Sequence, residues 1–516
     1  MGKAFKKTPK SSAPTPKPKG GKKRFSIDHD TFFDNDKKRR RNFEDDNIES
    51  SDEDDYGELR VGEEAEQEEE EVETAAEVRK RIAEAHLEKL RRIKDEEDKG
   101  DEGSDEDEGR DREGERDTWI ANVLQQEQLE DSGRVRRLIA SRVQKPETSK
   151  GFRVLVKHRQ SVTAVALSED DLKGFSASKD GTIVQWDIES GKTEKYKWPS
   201  DEVLKSHGLK DPQGRAVKHS KHVLALAVSS DGRYLATGGL DRHIHLWDTR
   251  SREHIQAFTG HKGPVSCLTF RQGTSELFSG SFDRTIKVWN ADDRAYITSL
   301  FGHQSEVLTI DCLRKERVLT VGRDRTMHLW KVPEESQLIY RASASALECC
   351  CFISNDEFLS GSDDGSIEQW SVLRKKPVHI VKNAHALQTL DKLENGEDTR
   401  LSNGHKGAIP AENGIHENPC LSAHSWVGSV AVCRNSDLAS SGAGNGAIRL
   451  WEIERESKGL RPLFELPLTG FVNSLAFAKS GKFLVAAVGQ EPRLGRWGRV
   501  ATARNGVAIH SLKLSD

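Results

Sequence analysis

From residue 151 onward the chain alternates apolar and polar positions in short runs broken by Gly, Asn, Asp and Ser, the period-2 signature of half-buried strands separated by tight turns. The clearest stretch runs from Gly260-His261 through Ser279-Gly280-Ser281-Phe282-Asp283-Arg284-Thr285-Ile286-Lys287-Val288-Trp289. Tryptophan marks the same place in successive copies, at Trp186, Trp247, Trp289, Trp330, Trp370, Trp451 and Trp497, with separations of 61, 42, 41, 40, 81 and 46 residues. Six of the seven have Asp180, Asp241, Asp283, Asp324, Asp364 or Asn445 six residues upstream. Ahead of this region the period lengthens. Val78, Ile82, Leu87, Leu90 and Ile93 predict an amphipathic helix within 74–98. Trp119, Ile120, Val123, Leu124, Leu129, Val135, Leu138, Ile139 and Val143 predict further helix, with Gly133 as a break.

A repeat of about 40 to 45 residues closing on Trp-Asp is the mark of a WD-repeat β-propeller with four strands per blade. The fold class expected is therefore all-β, a seven-bladed propeller over 151–516 behind a charged N-terminal extension. The two long separations are read as polar inserts near 195–218 and 382–419, the latter almost without β-branched alternation. Closure is expected through Phe152–Val156 as the outer strand of the last blade, which removes exposed sheet edges. His261, Ser279, Asp283 and Trp289 have the residue types of a hydrolase triad. Because the set recurs blade after blade, they are read as a buried structural chain, which stabilises only if every member is satisfied.

Charge divides the front of the chain. Residues 1–43 carry 14 Lys/Arg against 4 Asp/Glu, residues 44–117 carry 12 against 34, and residues 118–516 carry 54 against 47, so the formal −5 conceals three zones. The first reads as a disordered basic tail, and Lys37, Lys38, Arg39, Arg40 and Arg41 resemble a nuclear-import signal. The second reads as an acidic low-complexity segment, an interaction tail whose serines precede acids and suit acid-directed kinases. Residues 118–150 are expected to form a helical linker, packing on the propeller or docking a partner.

Several classes are excluded by what the residues lack. No apolar run approaches the roughly 18 to 20 residues that cross a membrane, and no secretory core opens the chain. The seven cysteines show no paired spacing; Cys349, Cys350 and Cys351 alternate faces of one strand and cannot close a metal site by themselves, and Cys267, Cys312 and Cys433 read as small reduced core residues of an intracellular protein. No phosphate-binding Gly-rich loop or zinc motif is present, and His243 and His245 are expected to have one surface-facing member beside Trp247. Neither enzyme, metal site, cofactor nor small-molecule substrate is expected.

What remains is a binding face. The turns carrying the repeat Asp lie on one rim, and Arg242, Arg284, Arg323 and Arg325 stand beside them. Gln490, Arg493, Arg496 and Arg499 surround a last-blade turn, Val488–Trp497, that lacks both turn Asp and Gly-His. Convergent arginines suit phosphates and stacked bases, and a blade that breaks its own rules often does so for function.

Val332-Pro333-Glu334-Glu335-Ser336-Gln337-Leu338, Gly470-Phe471-Val472-Asn473-Ser474-Leu475 and the run Gly489–Trp497 are not shared by generic propellers. With the charged front, they resemble the U3 small nucleolar RNA-associated WD-repeat proteins. The resemblance implies a non-catalytic component of the nucleolar U3 ribonucleoprotein. It would recognise the protein-loaded box B/C region of U3 small nucleolar RNA beside a small kink-turn-binding protein, among other particle and processome proteins, and support precursor ribosomal RNA processing. Trp247-Asp248-Thr249-Arg250 leaves an alternative open: its Trp-Asp-x-Arg pattern matches one by which propellers dock on a cullin-based ubiquitin ligase adaptor.

Overall fold

The computed structural model describes residues 87–88, 91–92, 109–131, 135–146, 151–208, 221–342, 346–385, 425–455 and 458–515. The import-like cluster at 37–41, almost all of the helix expected at 74–98, and most of the 382–419 insert lie outside these residues.

Seven four-stranded antiparallel sheets form the propeller. Blade 1 comprises β2 (Val162–Leu167), β3 (Lys173–Ser178), β4 (Ile183–Asp187) and β5 (Thr193–Lys195). Blade 2 comprises β6 (Val223–Val228), β7 (Tyr234–Gly239), β8 (Ile244–Asp248) and β9 (His254–Phe258). Blade 3 comprises β10 (Val265–Phe270), β11 (Glu276–Ser281), β12 (Thr285–Asn290) and β13 (Ala295–Phe301). Blade 4 comprises β14 (Val307–Cys312), β15 (Arg317–Gly322), β16 (Thr326–Lys331) and β17 (Ser336–Arg341). Blade 5 comprises β18 (Leu347–Ser354), β19 (Glu357–Ser362), β20 (Ile367–Ser371) and β21 (His379–Val381). Blade 6 comprises β22 (Ser429–Val432), β23 (Leu438–Gly442), β24 (Ala447–Ile453) and β25 (Leu460–Pro467).

Blade 7 joins the two ends of the domain: β26 (Phe471–Phe477), β27 (Phe483–Gly489) and β28 (Gly506–Ser511) are completed on the outside by β1 (Arg153–Lys157). Arg153 pairs with Ile509 and Lys157 with Gly506. The first strand of every blade stands beside its neighbours' first strands around the axis. Second strands are almost wholly buried, whereas outer strands such as Ala295–Phe301 are largely exposed.

Neighbouring blades interlock through a repeated small-against-branched contact. A Cβ at Gly238 would lie 2.6 Å from Val265, at Gly280 2.8 Å from Val307, at Gly361 2.6 Å from Val427, and at Gly442 2.4 Å from Val472. The missing side chain lets the valine of the next blade sit on the second strand's backbone, and the apolar clusters accordingly each span adjacent sheets.

A second repeated device is a bulge in the first strand. The register slips between Val162 and Ala164, Val223 and Ala225, Val265 and Cys267, Val307 and Thr309, Leu347 and Cys349, and Val472 and Ser474. The skipped residue is left out of the ladder, and it falls near the channel mouth on the rim that carries the turn acids.

Residues 118–150, expected as a helical linker, divide differently. A helix covers Gly109–Asp131, and 135–146 then runs extended apart from a 3-10 turn at Ala140–Arg142. This segment straps the opposite rim. Arg137 bridges Ser436 and donates to the carbonyls of Arg434 and Lys479. Asp437 accepts from the backbone of Ile139 at 2.8 Å and Ala140 at 2.9 Å. Ile139, Ala140 and Val143 are buried against blades 6 and 7, so tertiary burial has overridden the helical spacing of its apolar residues.

Replacing Gly442 with Val should cost about 1 to 3 kcal/mol through overpacking against Val472, read as a lower urea midpoint. An unchanged midpoint would show that the blades separate freely at this contact.

Candidate nucleic-acid interface

The His-Ser-Asp sets are structural chains. In blade 3, Asp283 accepts from His261 Nδ1 at 3.0 Å, which leaves Nε2 to accept from the Ser279 hydroxyl at 2.8 Å, while Ser279 accepts from Trp289 Nε1 at 2.9 Å. Burial alone would raise the Asp283 carboxyl. Hydrogen bonds from His261, Thr285 and the Lys262 amide override it and hold the group well below the usual carboxylate range. Blade 4 repeats the chain with His303, Thr320, Asp324 and Trp330, and blade 6 with His385, Ser441, Asn445 and Trp451. Ser279 is fully buried, with no approach for a substrate. His303, Asp324 and His328 gather three potential metal ligands, but His303 is spent on Asp324 and Thr320, and His328 on Gln337 and Thr326.

The remaining blades keep parts of the chain. In blade 1 His158 bonds Ser176 and Thr182. In blade 2 Trp247 donates to Thr237, but the turn acid Asp241 is met by His245 from within the blade. His243 and His245 are both buried, contrary to the expectation of one surface member. Trp198 from the first insert covers His245, with ring centroids 4.9 Å apart. The same face holds a file of imidazoles: His254 links His245 at 3.0 Å and His207 at 2.9 Å.

On the rim of the turn acids, the residue after each acid adopts a left-handed backbone. Gly181, Gly365 and Gly446 hold it in blades 1, 5 and 6, at φ of 83°, 77° and 94°. Arg242, Arg284 and Arg325 hold it in blades 2, 3 and 4, at φ of 70°, 71° and 62°. A side chain there costs about 1–2 kcal/mol that glycine avoids. Arg284 and Arg325 are exposed and Arg242 half-buried. Arg323, one residue before Asp324, is also exposed and lies 3.8 Å from Glu306.

The last-blade run does something the sequence did not reveal. Trp497 is not the seventh repeat tryptophan; it lies in the loop between β27 and β28, and His510 occupies the place opposite Leu484 that tryptophan fills elsewhere. This loop folds over the channel mouth. Arg493 reaches across the axis to donate to the carbonyls of Ser266 at 2.9 Å and Leu308 at 2.8 Å, the two residues that the bulges of blades 3 and 4 leave out of the ladder. Lys179 of blade 1 pairs with Glu491 at 3.3 Å and donates to Gly495 at 2.8 Å. Gln490 donates to Ala503 O at 3.0 Å. Arg493 and Gln490 thus hold the loop, whereas Arg496 and Arg499 are exposed on it.

Trp247-Asp248-Thr249-Arg250 sits on the opposite rim. There Asp248 accepts from the amides of Arg250 and Ser251 and caps the turn, with Arg250 exposed.

The WD domain, G-beta repeat family model matches residues 150–187, 212–248, 252–290, 294–331, 335–371 and 417–452, which leaves blade 7 unmatched apart from β1. The chain is 58% identical over 496 residues to a U3 snoRNP-associated protein-like protein of Arabidopsis thaliana, covering 96% of this chain and 97% of that one. It is 37% identical over 446 residues to the U3 small nucleolar RNA-interacting protein 2 of Homo sapiens, covering 86% and 83%. Among solved structures it is similar to U3-55K, at 39% identity and a TM-score of 0.58, covering 72% of this chain and all of that one (100%).

Replacing Asp283 with Ala should lower stability by about 1 to 3 kcal/mol, because His261 Nδ1 and the Lys262 amide lose their acceptor; an unchanged thermal midpoint would show the chain to be dispensable. Burial holds His158, His328 and His385 down at about 4 and His254 at about 3. The unfolded chain, titrating near 6.5, therefore binds more protons between those limits. The stability these histidines contribute should be full above about pH 6.5 and fall as pH drops toward 4, opposed in part by Glu368, whose carboxyl burial pushes up to about 7, with the carboxylates Asp283 and Asp324 adding loss only at lower pH. A melting temperature constant from pH 7 to 5 would overturn this.

Proposed function

We propose, from the premise that this chain belongs to the family of U3 small nucleolar ribonucleoprotein-associated WD-repeat proteins, that it recognises the protein-loaded box B/C region of U3 small nucleolar RNA beside a small kink-turn-binding protein. It acts in the nucleolus, within the particle that supports precursor ribosomal RNA processing and small-subunit assembly, as a recognition and assembly factor with no reaction of its own. The basic cluster Lys37–Arg41 serves nuclear import.

The observation that carries the RNA surface is the set of arginines on one rim. Arg242, Arg284 and Arg325 repeat at one strained turn position in three consecutive blades, and Arg323, Arg496 and Arg499 extend the same face. The turn carboxylates Asp283 and Asp324 keep their charge but are directed inward onto His261 and His303, behind the exposed Arg284 and Arg325. Guanidinium groups suit phosphate, and the docked particle protein supplies the remaining specificity. Arg493 and Gln490 contribute by holding the last-blade loop against this face.

Reversing Arg284 and Arg325 to Glu together should cut recovery of U3 RNA after crosslinking and immunoprecipitation at least tenfold, with an unchanged melting temperature. For purified components, loss of each phosphate contact should reduce the salt slope of binding by about 0.7 to 0.9. Undiminished recovery would remove this rim from the interface.

A further inference from the structure

Between the last-blade loop and the first strands of blades 5 to 7 lies an open cleft of about 570 Å³ including its mouth, lined by Arg323, Glu348, Trp426, Phe471, Arg493 and Trp497, among others. Two features leave recognition surface open in it. Trp497 keeps 49% of its surface exposed although it packs on Trp426, ring centroids 4.3 Å apart. Glu348 is the residue skipped by the blade-5 bulge, and its carboxylate has no hydrogen bond or ion pair within 4 Å among the described residues. Glu348 is half-buried, and burial pushes its carboxyl up while Arg493 and Arg323 oppose.

Resting on the RNA reading above, we propose that this cleft takes one unstacked guanine of a bound RNA, stacked on Trp497 and held by Glu348. Guanine alone among the four bases offers two adjacent donors, N1–H and the N2 amine, on its Watson–Crick edge, which match the two oxygens of a carboxylate. Aromatic stacking holds an unpaired base without reading it, so Glu348 supplies the choice. An aromatic wall with one acid would also suit a cationic side chain. That occupant is disfavoured because Arg323 and Arg493 line the same cleft and Arg496 stands on its loop: a cation would enter a net-positive site, whereas a neutral base on a polyanion brings its phosphates to those arginines.

The test uses the full-length protein and fluorescein-labelled five-nucleotide oligouridines carrying one central guanosine, inosine or adenosine, with crosslinking to U3 RNA as a separate readout. The guanosine oligomer should bind about tenfold tighter than the adenosine one, with inosine, which lacks the N2 amine, in between. Trp497→Ala should weaken all three about tenfold, with binding restored by Trp497→Phe. Glu348→Gln should erase the guanosine preference while leaving adenosine binding unchanged. Equal binding of guanosine and adenosine oligomers by the unaltered protein, which needs no variant to fold, would overturn the proposal. So would an arginine-rich peptide whose binding requires Glu348 while no base is preferred. If U3 RNA still crosslinks in either case, only the cleft assignment fails; if neither U3 RNA nor any oligomer is bound, the RNA reading fails and takes the cleft with it.

Discussion

Everything else in this molecule depends on the pairing of β1 with β28. A ring of blades has no stable edge only if its first and last sheets are one sheet, and here Arg153–Lys157 closes the last blade from the outside. The direction of that strand then fixes the two faces. β1 begins opposite Ile509 and ends opposite Gly506, so the chain enters from the rim away from the turn acids. The preceding residues 135–146 must therefore cross that rim, where Asp437 and the carbonyls of Arg434 and Lys479 hold them. The N-terminal strap is thereby spent on one face, and the face with the arginines stays clear of it.

The bulges and the last-blade loop are two halves of one device. A bulge turns a first strand's residue out of its ladder, which leaves main-chain oxygen near the channel mouth in want of a donor. At Ser266 and Leu308 the donor is a single guanidinium delivered from the far side of the ring. Its planar fork reaches the two carbonyls from two separate nitrogens held in fixed geometry, where a lysine has a single nitrogen on a flexible stem. Because β28 forms its contacts around His510 rather than a tryptophan, the loop before it is released from the repeat pattern and free to make this span. At Glu348 the same bulge leaves a side chain, rather than a carbonyl, unmatched.

The repeat made the fold legible because its period, its tryptophans and its turn acids are set by local chemistry that each blade repeats. Legibility failed wherever a distant residue took over a local role. Trp497 sits 46 residues after Trp451, close to the repeat spacing, yet the strand it seemed to mark begins at Gly506. His385 serves Ser441 and Asn445 from 56 and 60 residues away; it stands at the start of the 382–419 insert, most of which separates it from its blade, and spacing cannot see across that stretch. The residues of 135–146 carry a helical apolar pattern, but an extended strap buries more of them against blades 6 and 7. Arg493 was legible as unusual and not as a channel-spanning donor, since nothing local distinguishes an arginine that faces solvent from one aimed at a carbonyl of another blade.

The backbone itself bears on whether the rim arginines are ornaments of their turns. Six turns of the same geometry require a left-handed residue after the acid, and three are filled by glycine at no steric cost. Glycine would serve all six without that cost. Arginine instead fills three adjacent blades, each at about 1–2 kcal/mol, and at two of them the neighbouring acid is drawn inward onto a buried histidine. The turn thus holds a cation outside and an anion inside, an arrangement that presents positive charge to a polyanionic partner on that face.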